Sequence, residues 1–200
     1  TQNGIRGGSA TVHFPIWHQE IEDILVLKNN KGTEDNRVRK LDYSIQISKL
    51  FYERFIQDGE ISLFSPHDVP GLYDRFGLPG FDELYCAYEK DSSIKKKTVK
   101  AQELILNLLK ERAETGRVYI MNIDHCNSHS SFKDKVNMSN LCQEITLPTD
   151  PIQHIDDTHG EIALCILSAI NVGKVKSDEE LEELCDLSVR GLDELIDYQK

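Results

Sequence analysis

Apolar and polar positions along the chain follow two different periods. Short alternating or continuous apolar runs predict strands, and the runs are Ala10–Phe14, Tyr43–Ile47, Ile61–Phe64, Arg117–Ile123, Leu141–Leu147 and Glu161–Ile170. Apolar residues at helical spacing predict helices over Ile16–Lys28, Leu50–Ile56, Phe81–Lys90 and Thr98–Thr115, and a final acidic helix through Leu181–Leu195 that Ser177 or Asp178 can cap. Because strands and helices alternate, the pattern indicates an α/β architecture with a sheet largely covered by helices.

Length and composition narrow the class of protein. The 200 residues suffice for one large domain or two small ones, and 39% of them are hydrophobic, which is typical of a globular chain. A formal net charge of −11 disfavours nonspecific binding to nucleic-acid phosphates. No apolar run approaches the roughly 20 residues of a membrane-spanning helix. The first residues lack signal-peptide features and a starting methionine, so we expect a piece of a longer protein.

The five cysteines are odd in number, widely spaced and without a CxxC pair. This pattern argues against a small secreted disulfide scaffold and favours a cytoplasmic setting. A buried, unreactive thiol is the simplest interpretation of any single cysteine.

Two polar segments allow a ligand site or an ordinary turn. Gly4–Ser9 is rich in glycine and contains Arg6, but it lacks a complete phosphate-binding fingerprint. Asp124–His129 contains four potential metal ligands without a second pair at finger-like spacing, so a turn after a buried strand is the simpler interpretation.

Ser139–Ile145 contains the most informative chemistry in the sequence. In an extended segment Asn140, Cys142 and Glu144 would face one side, because side chains alternate along a strand. An amide, a thiol and a carboxylate together suit acid–base chemistry beside a reactive sulfur. The alternative is an exposed strand face with an accidental thiol.

At the level of whole motifs, the chain resembles an internal part of the large, catalytic subunit of class I ribonucleotide reductase. The resemblance rests on segments in family order across the chain: Arg6–Thr11, Trp17–Glu20, Leu25–Gly32, Asn36–Arg39, Leu63–Pro66, Val69–Asp74, Ser139–Cys142 with Glu144, and Glu161–Cys165. It implies a partial ten-stranded α/β barrel of the ribonucleotide reductase and glycyl radical enzyme type, with a finger loop that carries the radical cysteine. Residues 1–200 would be a fragment of that barrel domain, with 1–10 a remnant of the substrate-specificity loop and 137–147 the finger-loop region.

The resemblance also implies roles for individual residues. Cys142 would be the transient thiyl radical, Glu144 the proton acceptor and Asn140 a hydrogen-bond partner of the substrate. Cys165 would be one member of the redox disulfide, with its mate outside the chain. Gln2 and Arg6 would belong to the specificity loop, and no metal is expected in this chain.

The implied substrates are ribonucleoside diphosphates, which are reduced to deoxyribonucleoside diphosphates for DNA synthesis. The implied partners are a metal-containing small subunit that supplies the radical, a second large subunit, and thioredoxin or glutaredoxin as reductant. ATP and deoxynucleoside triphosphates would act as allosteric effectors, without direct contact to nucleic acid or membrane. The chain alone is expected to be inactive. It is alternatively one piece of a split enzyme, or an inactive remnant.

Overall fold

The computed structural model describes residues 4–5 and 7–198, so Gln2 and Arg6 lie outside the described residues. The chain divides into two compact units, Thr1–Gly160 and Glu161–Lys200. Within the described residues no helix has the length and apolar character needed to cross a bilayer.

A three-stranded parallel sheet organises the first unit. Its strands are β1 (Thr11–Pro15), β2 (Asp42–Ile47) and β5 (Val118–Asn122), in the order β1-β2-β5. In the register of the sheet, Ser44 lies opposite His13 on one side and Tyr119 on the other. Five of the six residues of β2 are buried, as expected for a central parallel strand covered on both faces.

A two-stranded antiparallel sheet joins β3 (Glu60–Leu63) to β4 (Lys97–Lys100). The helices of the first unit are α1 (Ile21–Leu25), α2 (Lys49–Ile56), α3 (Leu72–Arg75), α4 (Phe81–Lys90), α5 (Ala101–Thr115) and α6 (Ile123–Ser128). Gly116 ends α5, since its left-handed φ of 66° lets its amide bond the Arg112 carbonyl at 2.8 Å.

Aromatic rings form the centre of the core in this unit. Phe51 packs edge-on against Tyr85 with ring centroids 5.3 Å apart, and Phe76 lies 4.7 Å from Phe81. The indole of Trp17 stands edge-on to Phe76 at 5.9 Å and is fully buried. Such pairs add specific geometry to the burial of large apolar area.

The second unit contains a 3-10 turn at Val172–Lys174 and the long helix α7 (Asp178–Tyr198). The expectation that Ser177 caps this helix is confirmed, because its hydroxyl oxygen accepts the Glu180 amide at 3.2 Å. The Glu180 carboxylate in turn accepts the Lys176 amide at 2.7 Å. Two otherwise unpaired amide donors at the helix start are thereby satisfied.

The α/β prediction is confirmed, and most of the predicted elements exist with shifted ends. The helix over Phe81–Lys90 agrees residue for residue. The helix predicted over Ile16–Lys28 shrinks to α1, and the segment predicted to begin a helix at Thr98 instead pairs with β3 as part of β4.

Two predicted strands are wrong. Leu141–Leu147 contains no strand, because Gln143 has a left-handed φ of 63° that breaks the extended backbone. Glu161–Ile170 is likewise not a strand, and three of its apolar side chains are exposed, namely Ile162, Leu164 and Leu167. An apolar run becomes a strand only where another strand pairs with its backbone.

The sheet is also open within the described residues: β1 and β5 are its two ends, and it does not close into a barrel there. The segment 137–147 has only turns and irregular backbone, so the structure alone does not display a finger motif.

Candidate functional site

One face of the parallel sheet carries the segment 137–147. Thr11 and His13 alternate along β1 and Ser44 and Gln46 alternate along β2, so these four polar side chains share a face in the register of the sheet. All four form hydrogen bonds to the segment. We call residues 137–147 the reactive loop, because Asn140, Cys142 and Glu144 belong to it.

The contacts from β1 reach the backbone of the reactive loop. The Thr11 hydroxyl donates to the Leu141 carbonyl at 2.6 Å. Nε2 of His13 lies 3.2 Å from the Ser139 carbonyl oxygen and 3.4 Å from its amide nitrogen. Burial lowers the pKa of His13, and the hydrogen bond to Ser139 partly opposes that shift.

The contacts from β2 and β5 hold the start and the middle of the reactive loop. The amide of Gln46 donates to the Asn137 carbonyl at 2.5 Å. The Ser44 hydroxyl donates to Oε1 of Gln143 at 2.5 Å, and Nε2 of Gln143 donates to the Ile120 carbonyl of β5 at 2.7 Å. Each of the three strands therefore contributes at least one direct bond.

The loop is also closed on itself. Asn140 accepts the Gln143 amide through its carbonyl at 3.2 Å and the Ile145 amide through its side-chain oxygen at 3.1 Å. The Ser139 hydroxyl donates to the Ile145 carbonyl. Asn140 therefore shapes a tight turn.

The structure brings Cys142 and Glu144 to the solvent side of this turn. Both residues are exposed, whereas Gln143 between them is half-buried against the sheet. The strand geometry expected for the pair is wrong, but both side chains are presented outward from one short loop. Cys165 is exposed in the second unit, within a segment that has no helix or strand.

The polar segment Asp124–His129 forms most of helix α6 rather than a turn. Asp124 accepts the Lys49 amide at 2.7 Å at the start of α2, and Asn127 bonds both the amide and the carbonyl of Val136, at 2.9 and 3.1 Å. Burial raises the pKa of the Cys126 thiol, which disfavours the reactive thiolate. In the described part of the chain, no group of three or more His, Cys, Asp or Glu side chains is placed to hold a metal ion.

A cavity of about 380 Å³ adjoins the reactive loop where β5 passes into α6. Its lining includes Asn122, His125, Cys126, His129, Gln143 and Thr146. The cavity is open to solvent, and Gln143 forms part of its wall.

The anchors of the reactive loop were missed in the sequence, although a signal for them exists. Thr11, His13, Ser44 and Gln46 are polar residues that alternate with apolar residues along two strands. Ser44 and Gln46 are essentially fully buried. Buried polar side chains require hydrogen-bond partners, so their pattern indicates a polar segment packed on that face.

Comparison with known proteins shows which family this chain matches and which proteins it is similar to. Residues 1–200 match the family model described as "Ribonucleotide reductase, barrel domain". The chain is 59% identical over 204 residues to the ribonucleoside-diphosphate reductase subunit alpha of Haemophilus influenzae, which covers all of this chain and 27% of the relative. The ribonucleoside-diphosphate reductase 1 subunit alpha of Escherichia coli is 55% identical over 157 residues, covering 76% of the chain and 21% of the relative. The subunit alpha of Enterobacteria phage T4 is 45% identical, covering all of the chain and 27% of the relative. The chain thus spans about a quarter of the length of these relatives.

Proposed function

The chain belongs to the ribonucleotide reductase barrel-domain family, and on this premise we propose that it supplies part of the catalytic barrel of a ribonucleoside-diphosphate reductase α subunit. The proposed reaction reduces ribonucleoside diphosphates to deoxyribonucleoside diphosphates. The observation that carries the proposal is the reactive loop, which presents Cys142 and Glu144 outward while its other side is bonded to three strands.

In the proposed reaction the Cys142 thiyl radical abstracts the 3′ hydrogen of the substrate and becomes a thiol. Glu144 accepts the proton of the 3′ hydroxyl, and the 2′ hydroxyl leaves as water with a proton from one thiol of a cysteine pair. That pair supplies two electrons and ends as a disulfide, its second hydrogen goes to C2′, and Glu144 returns its proton to the 3′ oxygen. The 3′ hydrogen then returns from Cys142, which becomes the thiyl radical again. Exposure of the thiol and the carboxylate on one loop supports this division of roles.

The proposal assigns Asn140 to a substrate hydrogen bond and Cys165 to the redox pair. Residues 1–10, with Gln2 and Arg6, are assigned to the substrate-specificity loop, and 137–147 to the finger loop of a ten-stranded barrel. The radical is supplied by a metal-containing small subunit, and thioredoxin or glutaredoxin regenerates the thiols. A second large subunit and ATP or deoxynucleoside triphosphate effectors complete the proposed assembly.

The 200-residue chain alone is expected to be inactive. The sheet is open at β1 and β5 within the described residues, and a thiyl radical needs an enclosed site from which water is excluded. Addition of the small subunit and reductant to this chain alone is therefore expected to give no reduction of any ribonucleoside diphosphate.

The experiment that tests the proposal is Cys142→Ser in the complete reductase with its small subunit and reductant. We expect turnover to be abolished while the substrate dissociation constant is retained, since the hydroxyl cannot replace the thiyl radical. Cys185→Ser, at an exposed cysteine of α7, is the matched control and should keep full turnover. Appreciable turnover by Cys142→Ser contradicts the proposal.

Two further variants separate the remaining roles. Glu144→Gln should slow reduction and spare substrate binding, because the amide cannot accept the 3′ hydroxyl proton; an unchanged rate removes that role. For Cys165, one turnover of reduced complete enzyme without external reductant should leave this residue in a disulfide. Mass spectrometry that finds a free thiol there rejects the assignment.

A further inference from the structure

Gln143, between Cys142 and Glu144, is the side chain of the reactive loop that bonds two strands of the sheet at once. Its Oε1 accepts the Ser44 hydroxyl at 2.5 Å, and its Nε2 donates to the Ile120 carbonyl at 2.7 Å. One amide thus bridges β2 and β5. A side-chain amide offers a donor and an acceptor on the same end, and here both are used.

The backbone at Gln143 is held in a conformation that a non-glycine residue rarely adopts. Its φ is 63°, and a left-handed non-glycine residue persists only where its surroundings hold it in that conformation. The two amide bonds to the sheet and the Gln143 amide bond to Asn140 supply that restraint. The strained backbone is therefore tied to the side-chain anchor.

The attachment of Gln143 to the sheet restrains its two neighbours, Cys142 and Glu144. The Gln143 side chain bonds the sheet, whereas Cys142 and Glu144 on either side of it are exposed. The Thr11 bond to Leu141 fixes the residue before Cys142, and the Ser139 bond to Ile145 fixes the residue after Glu144. Between those two points, Gln143 provides the side-chain attachment to the sheet.

We propose that Gln143, clamped between Ser44 and the Ile120 carbonyl, is a positioning residue that sets the orientation of the Cys142 sulfur and the Glu144 carboxylate toward the substrate. This proposal rests on the proposed function and adds a residue that does not itself touch the reacting atoms. Hydrogen abstraction and proton acceptance must act on neighbouring atoms of one sugar. A displacement of about 1 Å can cost on the order of 100-fold in rate.

The test uses the complete reductase with its small subunit and reductant, and the variants Gln143→Met and Ser44→Ala. Gln143→Met keeps an unbranched side chain of similar length and removes both clamp bonds, whereas Ser44→Ala removes one. Gln102→Met is the matched control, since Gln102 donates to the Phe55 carbonyl at 3.3 Å on an exposed surface outside the loop. We measure kcat, KM, the isotope effect with substrate deuterated at the 3′ position, and hydrogen exchange of residues 139–145.

For Gln143→Met we expect kcat to fall about 10- to 100-fold while KM stays within about twofold, because binding is retained and alignment is lost. The 3′ isotope effect should rise as hydrogen abstraction becomes more rate-limiting, and amide exchange in 139–145 should become faster. Ser44→Ala should show a smaller effect of the same kind, and Gln102→Met should match the wild type.

Two results overturn the positioning role. One is a kcat for Gln143→Met within twofold of wild type. The other is a lower kcat with an unchanged isotope effect and unchanged exchange, which would mean only less folded enzyme. If wild-type reductase reduces no ribonucleoside diphosphate, the proposed function fails. The exchange comparison still decides the clamp in that case, since unchanged exchange in Gln143→Met rejects it.

Discussion

The hydroxyl of Tyr85 is the buried group whose removal gives the clearest stability prediction. Tyr85 lies on α4 and is fully buried. Its hydroxyl accepts the Ser62 amide at 2.9 Å and donates to the Ser62 carbonyl at 2.7 Å, on the edge of β3. Burial raises the pKa of Tyr85, so the phenol stays neutral and able to donate at any physiological pH.

Tyr85→Phe removes one oxygen and leaves two unpaired backbone groups. Ser62 is buried, so water cannot replace the lost partner. Each orphaned buried donor or acceptor costs about 1–3 kcal/mol, and the phenyl ring keeps its packing against Phe51 and Phe64. We therefore expect the free energy of unfolding to fall by about 2–6 kcal/mol.

Urea unfolding of the 200-residue chain measures this loss. Its single tryptophan, Trp17, is fully buried in the same aromatic core, so tryptophan fluorescence follows the unfolding of that core. Tyr88→Phe on the same helix is the control, since its hydroxyl donates to the Pro70 carbonyl at 2.8 Å in contact with solvent. That change should cost less than about 1 kcal/mol. Equal losses in the two variants would refute the reasoning that buried orphaned groups dominate the cost.

Three further predictions concern charge, pH and thiol reactivity. Glu89→Gln should lower the unfolding free energy by about 2 kcal/mol, since Arg54 loses a two-pronged, largely buried partner; an unchanged urea midpoint contradicts this. Burial lowers the pKa of His13 and His18, so the unfolded chain binds more protons below about pH 6.5. The contribution of the two neutral histidines to the free energy of unfolding is therefore fully present above that pH, and it is lost as the pH falls toward their folded-state pKa values. A urea midpoint that does not change between pH 7.5 and 5.5 refutes this prediction. Iodoacetamide followed by mass spectrometry should label the exposed cysteines faster than half-buried Cys126, and equal rates would count against the burial. The exposed cysteines are Cys142, Cys165 and Cys185.

The elements that the sequence predicted well are those whose pattern reports burial directly. The helix over Phe81–Lys90 places Phe81 and Tyr85 four residues apart, and both are buried. Tyr43–Ile47 is a central strand, and the alternation of its apolar residues was sufficient to predict it, although its polar residues are buried as well. In both cases the local pattern and the tertiary environment favour the same structure.

The secondary-structure predictions are wrong where contacts with distant parts of the chain determine the local backbone conformation. Lys97–Lys100 pairs with Glu60–Leu63, so a segment adjoining a strong helix becomes a strand through a partner far along the chain. Around Cys142 the alternation of side chains predicted a strand. The left-handed Gln143 depends on contacts with β2 and β5, which no local periodicity encodes.

For the candidate site, the sequence alone draws attention to the residues with distinctive chemistry, and their roles stay a prediction, whereas the residues that hold their loop were missed. Asn140, Cys142 and Glu144 stand out by chemical type within a few residues. Thr11 and Ser44 contribute equally direct contacts, but each is inconspicuous until the register places β1 beside β2. Fold and site therefore have to be inferred together, since the strand pairing selects the anchors.

Polar residues in the middle of the sheet link its stability to the position of the reactive loop. Ser44 and Gln46 are buried in the central strand, where each unsatisfied polar group costs about 1–3 kcal/mol. Their donors bond Gln143 and the Asn137 carbonyl, so the loop satisfies the hydrogen-bond donors of both buried side chains. A loop that moved away would leave those donors unpaired, which opposes the movement. A segment without regular secondary structure is thereby restrained by the strand beneath it, and the proposed action of a thiol and a carboxylate on one substrate would require such restraint.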